Sequence, residues 1–192
     1  MPGYPVRIYE LRMTAQIVIA SLSVVIGCDL ARLVVFYLPA DRRYAWLDLG
    51  SQQVFGIALL STIIAFLYWL YVALRNLLRW GLRPRWGPGW AVGSWFIPVA
   101  DLVLPLLVVR EAARRSGSGQ SGSMLVVVWW VVFLVGEGLA DFSDLPPLVI
   151  VPLYVAAAGL AIAVVVHVTR LQVRRHAAPQ PAPLVPRHRV WT

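Results

Sequence analysis

A chain of 192 residues that is 59% hydrophobic and 14% charged has too little polar surface to close a soluble domain, so composition places it among membrane proteins. The net charge of +8 comes from 17 basic residues, all arginine and clustered beside apolar runs, which fits cytoplasmic membrane flanks and not a nucleic-acid partner. A single cysteine, Cys28, excludes an intramolecular disulfide, and the arginine bias with abundant Ala, Val and Pro points to a GC-rich bacterial source.

Residues 1–12 form a short polar N-terminal segment, expected in the cytoplasm. From Met13 to Leu38 an apolar run exceeds the roughly 20 helical residues a bilayer core requires, so residues 13–38 read as the first span. Asp29 and Arg32 interrupt it three residues apart, which puts them on one helix face and predicts a pair. Cys28 follows Val25-Ile26-Gly27 in a loose likeness of a lipoprotein signal. The apolar run continues through Phe36, however, so Cys28 is read as an ordinary helix residue. Residues 54–74 read as the second span, with Tyr68, Trp69 and Tyr71 ahead of Arg75 and Arg79 in the order that marks a membrane surface. Gly81 and Pro84 then break the helix.

The stretch GWAVGSWFIPVADLVLPLLVV, residues 89–109, is apolar yet broken by Pro98 and Pro105 around Asp101. SGSGQSGS at 116–123 reads as a flexible linker. The third span, 124–139, carries Trp129-Trp130 and Glu137 and is short, which predicts a tilt or a loan of residues from the linker. The acidic turn ADFSDLPP at 140–147 leads to the last span, 148–168. There Ala157 with Ala161, and Gly159 with Ala163, are small pairs four apart, suited to close helix packing. The Arg- and Pro-rich tail, 176–192, is expected to be extended, within reach of anionic lipid.

Arginines near the span ends give one consistent orientation: both termini, residues 75–88 and residues 110–123 on the cytoplasmic side. Arginine-rich flanks on one side require an even number of crossings between them. Residues 89–109 therefore read as a re-entrant or interfacial segment, whose irregular backbone must be shielded by other helices. The expected fold is all-α: a polytopic inner-membrane protein, its membrane domain over 13–175, with four transmembrane helices plus one re-entrant or interfacial Trp/Pro-broken helix. Glu137 falls on the same side as Asp29 and Arg32, so these three form the candidate intramembrane polar cluster. Trp69, Trp80, Trp86, Trp90 and Trp95 are expected as interface anchors. His167 has no partner at ligand spacing, so no metal site, cofactor or catalytic set is read.

The runs LYWLYVALRNL (67–77) and PGWAVGSWFIPVADLVLPLLVVREAARRS (88–116) resemble a bacterial membrane family known as a domain of unknown function, DUF4328. The likeness rests on Arg75-Asn76, on Trp90, Gly93, Trp95, Phe96 and Pro98, on Asp101 before Pro105, and on Arg110-Glu111. Trp129-Trp130 and VVVHVTRLQ (164–172) also fit. The family pattern has Asn where this chain has Asp101, and Tyr-Gln where it has Leu106-Leu107. The resemblance implies several membrane helices around the Trp/Pro motif and implies no activity.

The expected function is therefore a non-catalytic membrane component that interacts with lipid, including anionic headgroups, or with a membrane protein partner or second copy. Two other classes stay open: a small transporter or channel-like protein using Asp29, Arg32, Asp101 and Glu137, and a redox partner or enzyme holding a quinone or haem.

Overall fold

In lipid, long apolar runs must satisfy their own backbone, and a helix does so within one segment. In the computed structural model four such helices form: α1 (Ile8–Tyr37), α2 (Ala45–Arg79), α5 (Gln120–Phe142) and α6 (Pro147–Ala177), each long and apolar enough to cross a membrane. Between the second and third lie α3 (Pro88–Gly93), a single 3-10 turn (Ala100–Leu102) and α4 (Leu104–Arg115). The structure describes residues 7–38, 45–142 and 144–178, and among these there is no strand. Expectations for residues 1–6, for Arg42 and Arg43, and for the tail beyond 178 lie outside the described residues.

The helices overrun the apolar windows that announced them. At about 1.5 Å per residue α1 is about 45 Å long, against a hydrocarbon core of about 30 Å. The overrun of α1 beyond the window 13–38 is its N-terminal turn, Ile8–Arg12, which carries Tyr9, Glu10 and Arg12. Similarly, α5 takes its first turn from the polar run read as a linker. Only Ser116–Gly119 forms a turn, and Ser123 is buried, its Oγ accepting a hydrogen bond from Arg110 Nε at 2.6 Å.

Two helices end alike at the arginine-rich end of the bundle. Gly81, at φ 75°, and Gly117, at φ 103°, adopt the left-handed conformation that glycine tolerates. In each case the next residue's N–H reaches back to the helix: Leu82 to the Leu77 carbonyl at 3.0 Å, and Ser118 to the Ala113 carbonyl at 3.1 Å. These Schellman closures satisfy carbonyls that α2 and α4 would otherwise leave open.

α1 packs against α2 and α6, and α5 packs against α6, whereas α2 and α5 scarcely touch. One half of the gap between α2 and α5 is filled by residues 88–115: α3 and α4 lie on α2, and α4 also lies on α5. The segment leaves and returns at the same end. Glu111 accepts the Arg85 backbone N–H at 2.6 Å near its start, and the Arg115 carbonyl accepts Arg175 Nη1 at 3.1 Å at its finish. Its tip reaches the bundle middle, where the Trp95 ring stands 5.9 Å from Phe66 and 5.6 Å from Trp130. Phe66 lies about 20 Å along α2 from Arg79.

The break at the tip has a local cause. Pro98 supplies no N–H, and Val99 follows with φ 68° and ψ −40°, a region that β-branched residues avoid. The Trp130 indole caps the tip by donating to the Leu102 carbonyl at 2.8 Å. Pro105 then sits in the first turn of α4, where its missing N–H costs nothing.

Two expectations need correction. Trp69 is no interface anchor: it is fully buried, its Nε1 donating to Thr169 Oγ1 at 3.0 Å, and Trp95 packs into the same ring cluster. Interface position and core position share one signal in sequence, an aromatic near an arginine, and only the neighbouring helix separates them. Gly159 does not mediate close packing either, because a Cβ there would meet nothing within 4 Å.

Candidate functional site

The half of the gap between α2 and α5 that lies away from the arginine-rich end stays open. Asp29 and Arg32 from α1, Glu137 from α5 and Tyr154 from α6 line a cavity of about 440 Å³ there. Its walls are apolar: Leu22 and Val25 of α1, Phe55 and Leu59 of α2, and Ala157, Ala158 and Ala161 of α6. The three alanines are buried and leave this room; the spacing of Ala157 and Ala161 predicts packing contacts, and Ala158 lies outside that expectation. A second cavity of about 450 Å³ shares Asp29, Arg32 and Tyr154 and extends past Gln52 toward Leu145 and Pro147. The Tyr154 ring packs against α5 at Gly136, where a Cβ would meet it at an ordinary contact distance of 3.6 Å.

The polar members sit close without closing into pairs. Asp29 is buried, yet no ion pair joins it to Arg32 within 4 Å. The Arg32 guanidinium instead lies 5.0 Å above the centre of the Phe55 ring, a cation–π position. The pairing expected from the three-residue spacing is thus replaced by a polar rim around a void. Asp101 is not part of that rim: it is half-buried at the tip of residues 88–115, the dip that leaves and returns at one end of the bundle, and makes no side-chain hydrogen bond or ion pair among the described residues.

Beneath the cavity lies an aromatic floor. Phe66, Trp69, Trp95, Trp129, Trp130 and Phe133 stack edge to face or tilted, with centroids 5.4 to 5.9 Å apart. Trp129 and Phe133 also face the cavity. A space with charged and hydroxyl groups around apolar walls and an aromatic base matches the two ends of an amphiphile.

At the opposite end of the bundle a buried network joins four segments that sequence reading left separate. Asn76 Oδ1 accepts the Arg7 N–H at 3.0 Å, and Asn76 Nδ2 faces Gln172 Oε1 at 3.5 Å. Gln172 Nε2 donates to the Ala73 carbonyl at 3.1 Å and to Ser116 Oγ at 2.9 Å. Asn76, Gln172 and Ser116 are all buried. Asn76 belonged to the motif that drew attention in sequence. Gln172 closes the run 164–172, and its polarity inside an otherwise apolar face was the available signal.

The other motif residues divide by position. Gly93, Trp95, Pro98, Asp101 and Pro105 build the dip, with Trp90 and Phe96 exposed on its outer face; Arg110 and Glu111 hold its returning helix, and Arg75 packs on Tyr71. No curated protein and no solved structure matches the chain. The model of a family described as Domain of unknown function (DUF4328) matches residues 42–172, a run that contains the dip, its floor and the Asn76–Gln172 network. The chain, more than half of which that model covers, belongs to the DUF4328 family.

Proposed function

We propose that this chain is a non-catalytic, multi-pass protein of the bacterial cytoplasmic membrane that holds an amphiphile in the cavity between α2 and α5. The observation that carries this reading is the cavity itself, polar at Asp29, Arg32, Glu137 and Tyr154 and apolar down to the Trp129–Phe133 floor. Paired or clustered charges inside a span face protein or cavity because facing lipid costs several kcal/mol, on the order of 3 at mid-helix. The ring-packed floor argues for a bound ligand and against a continuous path for a solute. The family assignment carries no activity and leaves this reading free.

In this proposal residues 89–109 are a re-entrant segment, and the arginine-rich end, with both termini, faces the cytoplasm. The support is that Arg79, Arg85, Arg110, Arg115 and Arg175 meet at one end of the bundle, as the charge bias of cytoplasmic flanks requires.

Filling the cavity tests the ligand. Protein extracted in mild detergent should carry a lipid-like molecule detectable by mass spectrometry of an organic extract, and Ala158→Phe or Ala161→Phe should lose it while keeping the helical spectrum. An empty parent, or equal retention by the filled variants, would sink the reading. For topology, Arg83→Cys and Gln120→Cys, placed in a Cys28→Ala background, should both react with an impermeant thiol reagent only from the cytoplasmic side. Labelling from opposite sides would mean that the intervening chain crosses the membrane.

A further inference from the structure

A separate cavity of about 570 Å³ opens at the arginine-rich end, and four arginines line it: Arg85, Arg110, Arg114 and Arg115. One carboxylate, Glu111, faces it too, and that group is already engaged: Glu111 Oε1 accepts the Arg85 N–H at 2.6 Å and lies 3.5 Å from Arg115 Nε. Arg110 is held by one bond, Nε to Ser123 Oγ at 2.6 Å, and among the described residues its two terminal nitrogens have no protein partner. Arg85 stacks over Trp86 at 5.5 Å, and Arg114 makes no hydrogen bond or ion pair among the described residues. Like charges gathered this closely repel, and an anion between them removes that cost.

The helix carrying these groups also says which anion. Val103, Leu107, Arg110 and Arg114 recur at three- and four-residue spacing, so they lie along one face at the start and body of α4. Val103 and Leu107, exposed at 53% and 36%, lie toward the bundle middle, and the two arginines lie toward its end. The stripe is apolar, then cationic, over about 16 Å of rise. A soluble phosphate would use the arginines alone, whereas a phospholipid uses the whole stripe, acyl chain against Val103 and Leu107 and phosphate against the guanidinium fork.

We infer that the Arg85–Arg110–Arg114–Arg115 cavity is a binding site for the phosphate headgroup of an anionic phospholipid whose chain lies along the outer face of α4. This site rests on the arginine-rich end lying at a membrane surface, and is independent of what fills the cavity between α2 and α5. Failure of the thiol labelling would remove that placement; loss of the site alone would leave the labelling intact.

The full chain in detergent is titrated with phosphatidylglycerol, with uncharged diacylglycerol and with inorganic phosphate, bound molecules being counted by native mass spectrometry. Phosphatidylglycerol should bind in preference to both others, and Arg110→Gln/Arg114→Gln should weaken it by roughly tenfold or more, as expected for losing a charge-assisted fork. Arg12→Gln/Arg170→Gln, which removes two exposed arginines elsewhere, should change it by no more than about twofold. Equal loss in both doubles means delocalised charge and overturns the site. Inorganic phosphate binding as well as the lipid overturns the lipid assignment. Should the glutamine pair lose its helical spectrum, Arg110→Lys/Arg114→Lys decides instead, because it keeps the charge and removes the planar fork. A several-fold loss then supports the site, and undiminished binding overturns it.

Discussion

Gly122 shows how little room separates the turn after α4 from α6. A Cβ at that position would stand 2.1 Å from Ser118 Oγ and 2.4 Å from His167 Nε2, distances that no real side chain keeps. The Ser118 hydroxyl and the His167 ring can turn aside, but Ser118 Cβ at 2.9 Å is fixed to the backbone, so Gly122→Ala should destabilise by about 1–3 kcal/mol in a thermal melt in detergent. Gly138→Ala, where a Cβ meets nothing, is the matched control and should raise stability by up to about 1 kcal/mol through helix propensity. Gln172 is the other residue on which several segments depend. Gln172→Leu keeps the volume and strands Ser116 and Asn76 without their partner, so a loss of about 1–3 kcal/mol is expected in the same melt. An unchanged midpoint would mean that water replaces the amide, and that the network positions nothing.

Among the elements, the dip between α3 and α4 is the one built against local preference. Val99 holds a positive φ with its side chain 80% exposed, so it contributes strain with little packing in return. Replacing it by glycine should stabilise the protein by about 1 kcal/mol, the conformational penalty less glycine's added chain entropy. Limited proteolysis across residues 95–103 offers a second reading of the same change, with slower cutting in Val99→Gly. The four long helices present the opposite case: their apolar windows announce them, and only their ends move, because polar turns such as Tyr9–Arg12 of α1, Gln120–Ser123 of α5 and Arg170–Arg175 of α6 continue the helix. The run 116–123 misleads for a related reason. Serine and glycine read as linker when isolated, yet the buried Ser123 and Ser116 accept hydrogen bonds from Arg110 and Gln172, which other elements supply.

At the scale of the whole molecule, α2 and α5 are joined through the dip and the aromatic floor. Trp95 touches both sides, Phe66 on α2 and Trp130 on α5, so Trp95→Ala should cost about 3 kcal/mol or more. The far-ultraviolet helix signal should survive, since α1 with α2 and α5 with α6 keep their own contacts, while the melting midpoint falls. A loss of helix in step with the midpoint would instead make the bundle a single cooperative unit. The same arrangement explains why an open polar cavity survives in one half of the molecule: the segment that fills the gap reaches only to the middle.

Apolar length, arginine distribution and the two prolines determined by themselves that the chain is helical, that four helices are long enough to span, and that residues 89–109 form a broken segment. Those features are local, and hydrophobicity together with backbone satisfaction in lipid fixes them before any helix meets another. Helical spacing and depth already group Asp29, Arg32 and Glu137; tertiary structure alone added Tyr154, set the four around one void with Asp101 apart, and made Trp69 core and not anchor. It also decided that Asn76 meets Gln172. Each depends on which face of one helix turns toward another, and an all-round apolar helix carries almost no amphipathic signal to say so.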